Sequence, residues 1–287
     1  MKFVLFDDFK PGVLKDDQVI DISGLLAGVD LKNPRETVRG IIANASGLAS
    51  KIGSLKGVPL ASVRLRQPVP DPVQLLCAAK NYVDGHEAPK ADFFLKAQGT
   101  IIGPGDTVEL PPVQARVFHA EPELAFVIGK RAANVKAADA MDYVFGYTCF
   151  FDVSARGVSP TFYIHKSYVT FAPMGPAIVT ADEIPDPHNL RIRMWVDDDL
   201  RQDFSTGQMA NRIDKLIEVA SSVCPLLPGD VIPTGTHHIG LGPVQDGETL
   251  TIEIERVGRL SVKVRDPQRR MWDRSVRNQP VAKPQPA

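Results

Sequence analysis

The stretch FHAEPELAFVIGK, residues 118–130, decides how the rest of the chain is read. It is an apolar run interrupted by Glu121 and Glu123. Neighbouring side chains of a β-strand point to opposite faces, so residues i and i+2 share one. The spacing places His119, Glu121 and Glu123 on one face and Leu124, Phe126 and Ile128 on the other. Two carboxylates side by side among apolar neighbours repel each other and lose hydration. A bound cation relieves both penalties. A solvated strand face carrying two unrelated acids is the competing reading.

The next long apolar run, GYTCFFDVSAR (146–156), is strand-like and carries Asp152, an unusual charge for the end of a buried strand. It makes a third acid. Three carboxylates completed by water, with no cysteine, suit Mg²⁺, Mn²⁺ or Ca²⁺ better than a tetrahedral zinc site.

Outward from this pair, residues 1–70 read as a small N-terminal domain. It has strand candidates in KFVLF and VIDIS and a helix announced by Asn33-Pro34-Arg35-Glu36. Asn33 suits the N-cap, Pro34 the first helical position and Glu36 the capping box. RQPVPDPVQ (66–74), with its three prolines, reads as an extended connector. Residues 71–267 form the main domain. Its patterns predict a short helix over 135–143, a half-exposed strand in LRIRMWVDD (190–198) and a hairpin over 249–264. They also predict a helix from Met209 to Cys224, with Ser205 or Thr206 near its start. The Arg-, Gln- and Pro-rich residues 268–287 are expected to form a mobile tail. Many strands and few long helices give an α+β, mainly β, fold and argue against a βαβ parallel sheet.

Composition narrows the function classes. With 287 residues, a net charge of −1 and 44% hydrophobic residues, the chain reads as an ordinary soluble protein. No basic patch points to nucleic acid, and no apolar run reaches membrane-span length. The N-terminus does not read as a signal peptide. Cys77, Cys149 and Cys224 lack CxxC spacing and lie in apolar contexts. They are expected to be buried thiols in a reducing, cytoplasmic setting.

Six motifs in order, AAKNY (78–82), FHAEPELAFVIGK (118–130), GYTCFFDVSAR (146–156), HKSYVTFAPMGP (165–176), RQDFST (201–206) and LLPGDVIPTGT (226–236), resemble the fumarylacetoacetate hydrolase family. The resemblance implies a β-roll catalytic domain with a small N-terminal α/β domain, usually as a homodimer. It implies that Glu121, Glu123 and Asp152 hold a divalent cation, normally Mg²⁺ or Mn²⁺. Matched motif by motif, Lys166 stands at the active-site lysine and Arg156 at the arginine following the metal aspartate. Thr236 stands at the threonine that helps hold a substrate carboxylate. Tyr82 and Gln202 lie in motifs from which substrate contacts are expected. Members act on small 2-oxo acids with a second carbonyl or an enol, by C–C hydrolysis of acylpyruvates, decarboxylation of oxaloacetate-like acids or isomerisation of hydroxymuconate-type dioates.

The chain departs from the family pattern at the water-activating element, approximately N-Y-x-x-H-x-x-E. Here Gly85 holds the histidine position, His86 comes one residue late, and Glu87 precedes the acid position, which is Ala88. A loop containing Gly85 can still deliver His86 as the base. Ser159 replaces a frequent glutamine, and His237-His238 follow the TGT motif where proline is favoured. The expected activity is metal-dependent hydrolysis of an acylpyruvate with His86 as base. A decarboxylase or isomerase is the enzymatic alternative, and a metal-retaining binding protein without turnover is the alternative of another class.

Overall fold

The computed structural model describes residues 1–83 and 89–279. The chain opens with β1 (Lys2–Phe6), β2 (Lys10–Lys15) and β3 (Gln18–Asp21), an antiparallel meander, then α1 (Pro34–Ile52), β4 (Val58–Pro59) and β5 (Leu65–Arg66). The start of α1 is set locally, with Asn33 Oδ1 accepting from the amides of Arg35 at 3.0 Å and Glu36 at 3.4 Å. After the proline connector, β6 (Leu76–Ala78) pairs with β7 (Phe93–Leu95), and β8 (Ile101–Ile102) and β9 (Thr107–Glu109) follow. Next come β10 (Val117–Ile128), α2 (Ala137–Ala140), β11 (Val144–Arg156), α3 (Phe162–Lys166) and β12 (Ala172–Thr180). The chain then forms β13 (Arg191–Val196), β14 (Asp199–Ser205), α4 (Ile213–Val223), β15 (Val231–Pro233), β16 (Thr249–Ile254) and β17 (Gly258–Arg265).

The period-two pattern of β10 sets the layers. The large sheet runs β15-β10-β11-β12-β1-β2-β3-β4, and a second sheet runs β14-β13-β16-β17-β9. Phe118, Leu124, Phe126 and Ile128 face a core shared with Ile192, Met194, Ile252 and Leu260 of the second sheet. The opposite face, through Ala125, Val127 and Phe150, packs with Val38, Ile41 and Leu48 of α1. Because β1 pairs with β12, residues 1–70 continue the large sheet across the proline connector instead of packing as a separate layer. β13 is half-exposed as expected, burying Ile192, Met194 and Val196.

Three local expectations are corrected. Helix α4 begins at Ile213, four residues late, because Ser205 caps a separate turn over Thr206–Gln208. Cys224 is exposed, since it follows the last turn of α4 where the chain leaves the core, while Cys77 and Cys149 are buried. Residues 268–279 of the expected mobile tail are anchored, and the remainder, 280–287, lies outside the described residues. The Trp272 indole N–H donates to the Arg116 carbonyl at 2.7 Å, and Arg270 bonds Asp266 and the carbonyls of Pro111 and Val113. Composition alone missed this because the anchors are few and act singly.

His188, to which the sequence assigned no role, caps α4. Its Nε2 accepts from the Ile213 amide at 3.1 Å, and the Arg212 guanidinium faces Nδ1 at 2.8 Å. A neutral ring has one lone-pair nitrogen, so one of these contacts is a full hydrogen bond in either tautomer, and a protonated ring accepts neither. Burial, then Arg212, holds the imidazole pKa below its ordinary 6.5. A depressed folded value means that the unfolded chain binds the proton more readily. The contribution of the neutral ring is therefore complete above pH 6.5 and is lost as pH falls from there through the folded value. His188→Gln is expected to flatten the fall in melting temperature between pH 7 and pH 5. An unchanged slope in a thermal-melt series would reject the cap.

Candidate active site

The hairpin of β10 and β11 assembles the acids. Glu121 lies directly opposite Asp152 in the antiparallel register, and opposed residues project to the same face. Glu123 follows two positions along the same face. One oxygen of each of the three carboxylates lies within 4.8 Å of the others, and all three residues are buried. The solvated-strand reading is thereby excluded. The donor set is oxygen without sulfur or nitrogen, which fits a hard divalent cation.

Positive charge surrounds the acids. Lys166, the last residue of α3, donates to Glu121 Oε2 at 2.8 Å and to Asp152 Oδ2. Arg156, which shares the acid face of β11, bonds Glu121 Oε1. Lys96, just past β7, bonds Asp152 Oδ1 and donates to the Val153 carbonyl at 3.2 Å. Lys96 escaped the sequence reading because a lysine ending a short apolar strand looks like an ordinary surface residue. Its burial is made by tertiary packing.

These surroundings separate the acids. Burial opposes ionised Asp152, but Lys166 and Lys96 outweigh it and hold its pKa below the ordinary 3.8. Burial, with Asp152 beside it, pushes Glu123 up to about 8, against the opposing pull of Lys166 and the Gly235 amide. A divalent cation among the acids favours the ionised form of Glu123. His119 shares the face but not the acid cluster. Burial and then Arg156 push its pKa down to about 3, so the ring is neutral.

The loop after β15 closes the site. The Gly235 amide donates to Glu123 Oε2 at 2.8 Å, and Gly235 has φ +84°, a conformation that favours glycine. Asn81 ties the AAKNY turn to this loop, donating to the carbonyls of Thr234 at 3.0 Å and Asn211 at 2.9 Å. The acids open onto a cavity of about 570 Å³. Lys166, Arg156, Thr236 and Tyr82 also line it, with His238 on the same wall. Phe94 and Phe162, stacked 4.7 Å apart, form an apolar side.

One expected site residue stands elsewhere. Gln202 is a correction, because it lies off the cavity wall and its amide donates to the carbonyls of His237 and Ile239. Its amide ties the loop that carries His238 to β14. His86, the expected base, falls outside the described residues.

Comparison with known proteins agrees with this geometry. Residues 70–265 match the C-terminal domain of fumarylacetoacetate hydrolase. A maleylpyruvate hydrolase of Aquipseudomonas alcaligenes is 33% identical, over 92% of this chain and 99% of its own. The mitochondrial oxaloacetate tautomerase of Xenopus laevis is 40% identical over 70% of this chain and 68% of its own. The crystal structure of a maleylpyruvate hydrolase from Sphingobium sp. SYK-6, in complex with manganese(II) and pyruvate, superposes with a TM-score of 0.85. It is 38% identical and covers 93% of this chain and 99% of that one. With the acid hairpin, the loop after β15 and the long-range match in hand, the chain belongs to the fumarylacetoacetate hydrolase family.

Proposed function

We propose that the protein is a divalent-metal-dependent hydrolase that cleaves the C–C bond of an acylpyruvate-type diketo acid. The observation that carries this reading is the buried Glu121–Glu123–Asp152 cluster, bridged by Lys166 and opening onto a cavity large enough for such an acid. A divalent cation held by these acids, Mg²⁺ or Mn²⁺, would supply Lewis-acid polarisation of the keto acid. The remaining work falls to side chains. Lys166 and Arg156 present N–H donors where negative charge develops as the C–C bond breaks. Thr236 and Tyr82 fix the orientation of the acid, and Phe94 and Phe162 exclude bulk water. In the overall change, water oxygen bonds to the acyl carbonyl carbon and the C–C electron pair passes to the pyruvate fragment. That fragment takes up a proton, leaving a carboxylic acid and pyruvate. His86 is the proposed base that removes the water proton.

The shifted His86 supports a second reading, tautomerisation, isomerisation or decarboxylation of an oxaloacetate- or hydroxymuconate-like acid, none of which consumes water as a nucleophile. A metal-retaining protein without turnover is the reading of another class. Incubation of the Mg²⁺-loaded protein with acylpyruvate, oxaloacetate and a hydroxymuconate-type dioate separates them. Release of an acid fragment and pyruvate is expected. Carbon dioxide or a tautomer alone would replace hydrolysis by the second reading, and bound acid with no turnover would support the third.

A cytoplasmic homodimer completes the proposal. Tyr163 and Ile164 of α3 and the nearby Val169 are exposed beside the site, an apolar surface suited to a second copy. Light scattering on purified protein checks the mass.

A further inference from the structure

We infer that Asn278 and Gln279, carried to the active-site cavity by an anchored C-terminal strap, bind the far carboxylate of a dicarboxylic 2-oxo acid. This assignment rests on the functional reading above and narrows its substrate class. The strap lies beyond residues 70–265, the part matched by the family. Its path is fixed in steps. Trp272 packs edge-on against Phe118 with ring centres 5.6 Å apart, Arg274 bonds Glu248 and Asp197, and Arg277 bonds Asp199. Asn278 then pairs with the loop next to His238 through both backbone groups. The Gly240 amide donates to its carbonyl at 2.8 Å, and its own amide donates to the Leu241 carbonyl at 2.9 Å. Gly240, at φ +84°, packs its Cα against the end of β14, where a Cβ would meet the Arg201 carbonyl oxygen at 2.0 Å. The result is two exposed amide side chains at the mouth of the cavity whose floor holds Glu121, Glu123 and Asp152.

Charge and size both favour a diacid. Three carboxylates face three cations, Lys96, Lys166 and Arg156, so a divalent ion leaves the acid cluster two charges positive, and Lys80 adds a further cation to the cavity lining. A keto monoacid offsets only one of these charges, and a dioate offsets two. Pyruvate occupies a small part of a cavity of about 570 Å³, which leaves room for a second polar end at the mouth. Amide N–H groups bind carboxylate without adding charge to the rim.

The test is calorimetric titration of the full-length, Mg²⁺-loaded protein with pyruvate and with 2-oxoadipate. The wild type is expected to bind 2-oxoadipate about tenfold more tightly than pyruvate. N278A/Q279A should erase that advantage and leave pyruvate affinity within about twofold, and N278D/Q279E should weaken 2-oxoadipate further by charge repulsion. Pyruvate binding with an unchanged preference in both variants overturns the assignment alone. Failure of the wild type to bind either acid overturns the functional reading and the assignment together.

Discussion

Asp152→Ala is expected to abolish turnover and to lower unfolding stability by about 3–5 kcal/mol, the usual cost of breaking a buried ion pair from one side. The loss is large because Asp152 serves two buried cations. Its Oδ1 meets Lys96 and its Oδ2 meets Lys166, and both lysine side chains are almost fully enclosed. Burial already lowers the Lys96 pKa, so without its carboxylate partner the ammonium is driven towards the neutral form. The double variant Lys96→Met/Asp152→Ala should recover part of the stability but none of the metal affinity, because an apolar group of similar length tolerates enclosure. Denaturant unfolding and metal titration read the two quantities separately. A single variant that costs less than about 1 kcal/mol would show that the lysines find other partners and that the ion-pair network does not hold the site together.

The acids were legible in strand spacing and the enclosure of their lysine counter-ions was not, for one physical reason. Period-two spacing carries the face assignment of Glu121 and Glu123 in the sequence itself, and an acid in an apolar run marks Asp152. Register then places Asp152 opposite Glu121, which needs only that the two runs pair as a hairpin. Lys96 and Lys166 come from β7 and α3, elements whose placement depends on the whole fold, and nothing local marks either lysine as enclosed. Lys166 was reached through its motif and Lys96 was missed. The same division explains Gln202, which lies in the expected motif but turns its amide to the carbonyls of the neighbouring loop. It also explains the strap, whose composition reads as loose although Arg270, Trp272 and Arg274 each find a specific partner. Tertiary hydrogen bonds leave no periodic trace.

Lys166→Met is expected to slow turnover by roughly 10²–10³-fold while tightening divalent-metal binding. The two effects have opposite signs because the ammonium plays two parts. In the proposed reaction it is a fixed donor beside the developing oxyanion, and its removal takes away stabilisation of the transition state but not of the cation. It also bridges Glu121 Oε2 and Asp152 Oδ2, so a cation bound among the acids must share those oxygens with it. Without the bridge, only Lys96 and Arg156 offset the mutual repulsion of Glu121, Glu123 and Asp152, and a metal relieves more of it. The metal-free variant should accordingly melt lower than wild type and regain more stability on adding Mg²⁺ or Mn²⁺, since a ligand that binds the folded state stabilises it in proportion to its affinity. Metal titration and single-turnover kinetics on the same preparation separate the two parts. Weaker metal binding in step with lower activity would mean that Lys166 supports the geometry of the acids, and its role as a donor to the reacting acid would have to be abandoned.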